Sequence, residues 1–373
     1  MRGQIKEKSK GVFLVRIESR KSGIRETLFS RTVRGKRSDA DKLLTEKLAE
    51  LDKGTFVVDS KQTLNEYLDF WLEKVAKSRV RANTFEGYKR MLDLNVKPLL
   101  GERRLSSIKP SDIQTIYTAI LERGLSARSV EHTNAVLSSA LKQAVKLQIL
   151  NSNPCAAVDL PQKKRAEMKA MSPEQAAQFL KVAKEDVRGI ILTFALITGM
   201  RPSEYLALRW SDLDLRKGAA TVQRAVTLIS GGGFRFGETK TKRSRRTIPL
   251  PQTLVKDLQK YRVAQLEHKL KLGEAYQDLD LVFATELGTP IAYKNLDFRH
   301  FKPTLKRAGL EGFRLYDLRH TCATLLLSAG ENPKVVAERL GHSSIVLTLD
   351  TYSHVLPDMQ QAATEKLERM LYG

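Results

Sequence analysis

Six side chains in the second half of the chain stand in an order that suits chemistry at a phosphodiester: Arg201, Lys240, Tyr316, Arg319, His342 and Tyr352. Each type has a role there. A guanidinium can fork onto two phosphate oxygens. A lysine can donate a proton to a leaving alkoxide. An imidazole can donate to a non-bridging oxygen. A tyrosine hydroxyl can attack phosphorus, although a phenol that ionises near pH ~10 is a weak nucleophile unless nearby cations favour the phenolate. The attack builds charge on the equatorial oxygens, and fixed cations stabilise that charge without reorganising. Metal-dependent nucleases instead need clustered carboxylates to hold their ions. This chain has no HExxH, no paired-carboxylate cluster and no Walker-type glycine loop. Neither a metal nor another cofactor is expected.

The local context sharpens several of these residues. Arg201 lies in Thr198-Gly199-Met200-Arg201-Pro202-Ser203-Glu204, beside a helix break with proline at a first-turn position. Glu204, three residues on, is placed to hold it, though the same spacing also describes an ordinary surface ion pair. Lys240 opens Lys240-Thr241-Lys242-Arg243-Ser244-Arg245-Arg246, five cations in seven residues, just ahead of the strand-like Thr247-Ile248-Pro249-Leu250. A hairpin tip would project these charges together. Lys242, Arg243 and Arg245 would then hold a nucleic-acid backbone, and charge alone leaves open whether Lys240 or Lys242 is the proton donor. Tyr316 and Arg319 are three apart and share a face if helical. His320 beside them reads as a core histidine. His342 follows a glycine break and is expected to open a new helix.

Three folded regions are needed to position these groups. Residues 1–56 form a small basic unit, with strands at Gly3–Lys8, Gly11–Ser19 and Glu26–Val33 and a turn at Ser22-Gly23. A helix follows with Ser38 as N-cap, running through Ala40, Leu43, Leu44, Leu48 and Leu51. That helix covers one face of the sheet. Arg16, Arg20, Lys21, Arg25 and Arg31 would line the free face and its turns, and a small sheet can enter a DNA major groove. Residues 60–158 read as wholly helical, with starts at Thr63, Ala82-Asn83-Thr84, Pro110-Ser111-Asp112 and Ser126 and a break at Pro98 and Gly101. Trp71 and Tyr88 read as core. Residues 159–169 form a basic, proline-marked linker carrying Lys163, Lys164 and Arg165. Residues 170–373 form a mostly helical domain with a strand pair at Ala219–Ile229 and Arg243–Pro249, separated by Gly231-Gly232-Gly233. The fold class is multidomain α+β: a small three-stranded sheet plus helix, an all-helical domain, and a mostly α domain with a small β-hairpin or sheet.

A formal net charge of +22 over 373 residues repels itself unless a polyanion offsets it, and it steers the chain toward phosphate backbones. A hydrophobic content of 42% is enough to bury real cores. Cys155 and Cys322 make neither a disulfide framework nor a zinc site, which fits a reducing cytoplasm. The N-terminus lacks a signal-peptide pattern, and apolar runs such as Ile190–Ile197 are too short to span a bilayer. A soluble, cytoplasmic protein acting on nucleic acid, with no membrane partner, is expected.

In this order and context, the six residues resemble those of the tyrosine recombinases, the phage and conjugative-transposon integrase family. The resemblance covers essentially the whole chain. It implies an arm-type DNA-binding domain at 1–56, a helical core-binding, SAM-like domain at 60–158 and a catalytic domain at 170–373. It also implies a site-specific recombinase that integrates or excises a mobile element. Tyr352 would form a 3′-phosphotyrosyl link and free a 5′-hydroxyl that Lys240 protonates, Lys240-Thr241 being the family's hairpin pattern. Strand exchange would pass through a Holliday junction, in a homotetramer on core-type and arm-type attachment sites of double-stranded DNA. An excisionase and a DNA-bending protein would assist, and the helix Met359–Leu371 would be exchanged between protomers. One position departs from the pattern: Tyr316 stands where the family usually has histidine. A phenol hydrogen-bonds a phosphate oxygen but is a poor base near neutral pH. Two other readings share the scaffold: a DNA-binding regulator with impaired catalysis, and a nicking-closing enzyme like the type IB topoisomerases.

Overall fold

The computed structural model describes residues 2–21, 24–52, 61–162, 168–229, 232–238, 245–342, 344–352 and 357–372. Within these, residues 2, 19–21, 24–26, 238, 350–352 and 357–363 are described by their backbone alone. The chain divides into two compact units, Met1–Arg165 and Ala166–Gly373.

In the first unit, β1 (Arg2–Ser9), β2 (Val12–Lys21) and β3 (Ile24–Arg34) form an antiparallel sheet in that order. Alternation along β2 places Phe13, Val15 and Ile17 on one buried face. Helix α1 (Arg37–Asp52) covers that face through Ala40, Leu43 and Leu44. Gly3 permits the close approach, since a Cβ there would lie 2.7 Å from Leu44 Cδ1. Two expectations change here. Ser38 is not the cap: α1 starts at Arg37, and the Asp39 carboxylate accepts from the Lys36 N–H at 2.9 Å. Arg31 is not on the free face either. It pairs with buried Val15 and alternates with Phe29 and Val33, so it stands on the helix-bearing side at the sheet edge. Arg16 does stand on the open face, opposite Gln4 and Ser30 and 3.4 Å from Glu18. The side chains of Arg20, Lys21 and Arg25, and the turn at 22 and 23, lie outside the described residues.

Four main helices complete this unit: α2 (Leu64–Trp71), α3 (Ala82–Asn95), α4 (Pro110–Glu122) and α5 (Ala127–Lys146). Thr63 and Glu66 form a reciprocal capping box at the start of α2, with bonds of 3.2 and 2.8 Å. Trp71 is core, as expected, and stacks on Tyr88 with ring centroids 6.1 Å apart. The expected break is there: α3 ends at Asn95, just ahead of Pro98. Pro98 sits early in a further turn, Lys97–Leu100, where its missing N–H costs nothing.

The second unit begins with α6 (Pro173–Ala183), boxed by Ser172 and Gln175. Helix α7 (Gly189–Thr198) follows and is apolar almost all round, so it is buried on nearly every side. The short α8 (Pro202–Tyr205) leads to five strands. The expected single strand pair resolves into two sheets. Strand β5 (Ala219–Val222) lies between β4 (Leu213–Asp214) and β8 (Arg246–Pro249), whereas β6 (Arg224–Leu228) pairs with the unforeseen β7 (Phe234–Glu238). The glycine-rich stretch thus closes the β6–β7 hairpin, with Gly232 and Gly233 at positive φ. The tail is helical: α9 (Gln252–Leu272), α10 (Asp317–Ser328), α11 (Pro333–Leu340), α12 (Ile345–Tyr352) and α13 (Pro357–Tyr372). The architecture is multidomain α+β with small antiparallel sheets. Among the described residues, no helix is long and apolar enough to cross a membrane.

Candidate active site

Two left-handed glycines set the site's geometry. Gly199 (φ 63°) ends α7 and turns the chain so that Met200 is buried and Arg201 immediately precedes α8. Gly341 (φ 66°) ends α11 and turns it toward His342. The two turns meet. Nη2 of Arg201 donates to the Gly341 carbonyl at 3.0 Å, a contact between residues 140 apart in the chain. Arg319, in the first turn of α10, donates from Nη1 to the Gly199 carbonyl at 2.8 Å. Arg339 donates from Nη2 to the Ile197 carbonyl at 3.0 Å. Arg319 and Arg339 therefore gather at the carbonyl end of α7, where the helix dipole favours positive charge.

One carboxylate organises the cluster. Glu204 is 4% exposed and accepts from Arg201 Nη1 at 2.8 Å, from the Arg201 N–H at 3.0 Å and from Arg246 Nη2 at 2.8 Å. Burial alone would raise its pKa, but the hydrogen bond and charge of Arg246, then the charge of Arg201, hold it below the usual carboxylate range. Among the described residues, Glu204 is shared by two guanidiniums, Arg201 and Arg246, so the one carboxylate does not neutralise both. Burial, then the neighbouring Arg201, brings the Arg319 guanidinium down to about 10. The residue is 2% exposed, and its Nη2 has no partner among the described residues. Such an orphaned donor is costly unless a ligand satisfies it.

His342 is half-buried, and its Nδ1 hydrogen-bonds the buried Thr348 hydroxyl at 2.8 Å. Burial first, then Arg319 and Arg201, pushes its imidazole down to about 4. It does not open a helix as expected: α12 starts at Ile345, and His342 sits in the link held by its N–H to the Ala337 carbonyl. Its ring lines a cleft of about 570 Å³ together with Arg245, Arg246, Lys334 and Ser344. Tyr316 immediately precedes α10 and is 37% exposed. Its ring packs edge-on against His320, and it lines a second, mostly apolar cleft of about 400 Å³ that Arg201 also borders. His320 is thus half-buried against an aromatic ring, not fully in the core.

The structure brings together Arg201, Glu204, Arg319 and His342, with Tyr316 at the rim and Arg245 on the cleft wall. Lys240, Lys242 and Arg243 lie outside the described residues, as do Lys163, Lys164, Arg165 and the side chain of Tyr352. The backbone of Tyr352 closes α12. Three members were missed by sequence reasoning: Arg246, Arg339 and Thr348. For Arg246 a signal existed. It is two residues before buried Ile248 in β8, and period-two alternation turns both to one face.

Residues 169–359 match the phage integrase family model, and residues 63–121 match the model of the phage integrase N-terminal SAM-like domain. A tyrosine recombinase XerC-like protein of Caldanaerobacter subterraneus subsp. tengcongensis is 32% identical over 364 residues, covering 92% of this chain and 91% of the relative. The chain belongs to the phage integrase family. As a tyrosine recombinase, it cleaves and rejoins DNA strands in site-specific recombination. The ICEBs1 integrase of Bacillus subtilis is 30% identical over 293 residues, covering 78% of this integrase and 79% of the relative. Two solved structures share the fold. The Tn1549 transposon integrase in complex with transposon right end DNA has a TM-score of 0.70 at 23% identity, covering 82% of this integrase and 99% of that chain. The lambda integrase tetramer bound to a Holliday junction has a TM-score of 0.58 at 18% identity, covering 91% and 95%.

Proposed function

We infer that this integrase moves a mobile element by attacking DNA with Tyr352 inside the cradle formed by Arg201, Arg319 and His342. The observation that carries the reading is the buried Nη2 of Arg319, without a partner among the described residues, beside a carboxylate, Glu204, that Arg201 and Arg246 already share. A non-bridging phosphate oxygen supplies the acceptor that this donor lacks. Arg201 and Arg319 share the charge that builds as phosphorus becomes five-coordinate. His342, with Nδ1 engaged by Thr348, has its other ring nitrogen for the same phosphate. The Tyr352 oxygen gives up its proton to solvent and bonds to phosphorus, giving a 3′-phosphotyrosyl link, while the bond to the 5′-oxygen breaks. Lys240 donates the proton that oxygen needs. A 5′-hydroxyl of the partner duplex then attacks the link and releases the tyrosine, and two such rounds pass through a Holliday junction.

The domains divide the work. Residues 1–56 read arm-type sites, with Arg16 on the open face of the sheet and Arg20, Lys21 and Arg25 toward its tip. Residues 60–158 hold core-type sites, and the 159–169 linker carries Lys163, Lys164 and Arg165 along the duplex. Residues 170–373 cleave, with Lys242, Arg243 and Arg245 on the backbone. Four protomers assemble on two sites. The exposed Leu367, Met370 and Leu371 of α13 support exchange of this helix between neighbours. An excisionase and a DNA-bending protein set direction.

The test is a nicked suicide duplex carrying the element's own attachment site. The native chain leaves an adduct that survives SDS, and Tyr352→Phe leaves none. Adduct formation by Tyr352→Phe would overturn the assignment of the nucleophile.

A further inference from the structure

We propose that Arg246 is a positioning residue for strand cleavage: it shares the Glu204 carboxylate with Arg201 and clamps the carbonyl end of α11, so that Arg201 and His342 meet the phosphate as one rigid cradle. The proposal rests on the recombinase reading of this site.

Three observations carry it. First, Arg246 bridges. Its Nη2 donates to Glu204 Oε2 at 2.8 Å, and its Nε donates to the Arg339 carbonyl at 2.6 Å. Arg201 is held by the other oxygen of the same carboxylate and by the carbonyl of Gly341, two residues beyond Arg339. One end of the clamp therefore terminates on the carboxylate that orients Arg201, the other lies two residues before the Gly341 carbonyl that Arg201 also meets, and His342 follows directly. Second, the fit is closed. The Arg246 side chain is 8% exposed. A Cβ on Gly341 would lie 2.8 Å from Arg246 Nη1, at a φ of 66° that already excludes most side chains. Glycine there lets the guanidinium lie against the turn. Third, Arg246 is the first residue of β8 and the last of the cationic run that starts at Lys240. The same side chain thus anchors the point where that run rejoins the fold.

Charge sharing gives the clamp a chemical consequence. Without Arg246, Glu204 would pair with Arg201 alone. The pair would be closer to neutral, and the guanidinium would have less charge to offer a phosphate. A fork is needed to reach a carboxylate and a carbonyl at once, which lysine cannot reproduce.

The experiment compares full-length native, Arg246→Gln and Arg246→Lys chains on the suicide duplex. It measures single-turnover adduct formation, duplex affinity and melting temperature. Arg246→Gln should form adduct on the order of 10- to 100-fold more slowly, as when one charge-stabilising donor is lost. Its affinity should stay within about twofold, because the loss is confined to the transition state. Arg246→Lys should recover part of the rate. A filler role in the core would lower the melting temperature and leave the rate of the folded protein untouched, and that result overturns the proposal. A loss of affinity as large as the loss of rate also overturns it, since Arg246 would then be a DNA contact. If Arg246→Gln does not fold, Arg246→Lys decides: slowed cleavage supports the clamp, and a native rate refutes it. Absence of adduct with the native chain would instead condemn the recombinase reading.

Discussion

Glu204→Gln removes one negative charge while keeping the shape of the side chain. Its carboxylate is 4% exposed and accepts from Arg201 twice and from Arg246 once, all at 2.8–3.0 Å. Hydrogen bonds to charged groups contribute about 1.5–3 kcal/mol each. Breaking one side of a buried ion pair costs about 3–5 kcal/mol, because the partner charge stays buried without compensation. Glutamine keeps one acceptor but turns an NH2 toward a guanidinium. We therefore expect a loss near the low end, about 3 kcal/mol. For a unit of this size each kcal/mol shifts Tm by roughly 2–4 °C, so the Ala166–Gly373 transition should fall by about 6–12 °C at pH 7. Calorimetry on the full chain reads this directly. The pH dependence supplies a second check. The Glu204 pKa is depressed in the folded state: burial raises it, and Arg246 and Arg201 more than offset that. A depressed carboxylate stabilises the fold above its unfolded value, and that stabilisation is lost as pH falls through the lower folded value. The difference between native and variant should accordingly shrink on acidification. A Tm change under about 1 °C at pH 7, or a difference that grows as pH falls, would refute the reasoning.

Two further outcomes follow from the site. Tyr316→His should keep or raise the cleavage rate on the suicide duplex, since the rim beside Arg201 then regains an imidazole; complete loss would mean that the phenol has a role beyond hydrogen bonding. The His342 imidazole of the DNA-free protein should titrate at about 4 by NMR, being depressed by burial and then by Arg319 and Arg201. The stability tied to it is complete above the unfolded histidine value of ~6.5 and is lost as pH falls toward the folded value, so His342→Gln should flatten the acid side of the stability profile. A titration near 6.5, or an unchanged profile, counts against the packing described.

Much of this integrase could be read from short-range rules. The helix start at Thr63 depends on neighbours in sequence, and α2 begins there, with Thr63 and Glu66 closing a capping box. The alternation of Phe13, Val15 and Ile17 required a buried sheet face, and the breaks at Gly199 and Gly341 required left-handed turns. The order of arginines, histidine and tyrosine was enough to name the chemistry. Strand pairing was not legible in this way. Ala219–Val222 and Arg224–Leu228 look alike as sequence, yet one joins β8 and the other β7, because register is chosen by which face the assembled core must bury. Arg31 fell on the unexpected side of its sheet for the same reason. Arg246 is the clearest case. It closes a run of five cations, which normally means a solvated loop, and strand alternation with Ile248 marks only the face it takes, not the partners it meets. Its burial is set by a carboxylate 42 residues away and a carbonyl 93 residues away. Local pattern specifies what each segment can become. Which cation is drawn inward to brace the others depends on partners that only packing brings within reach.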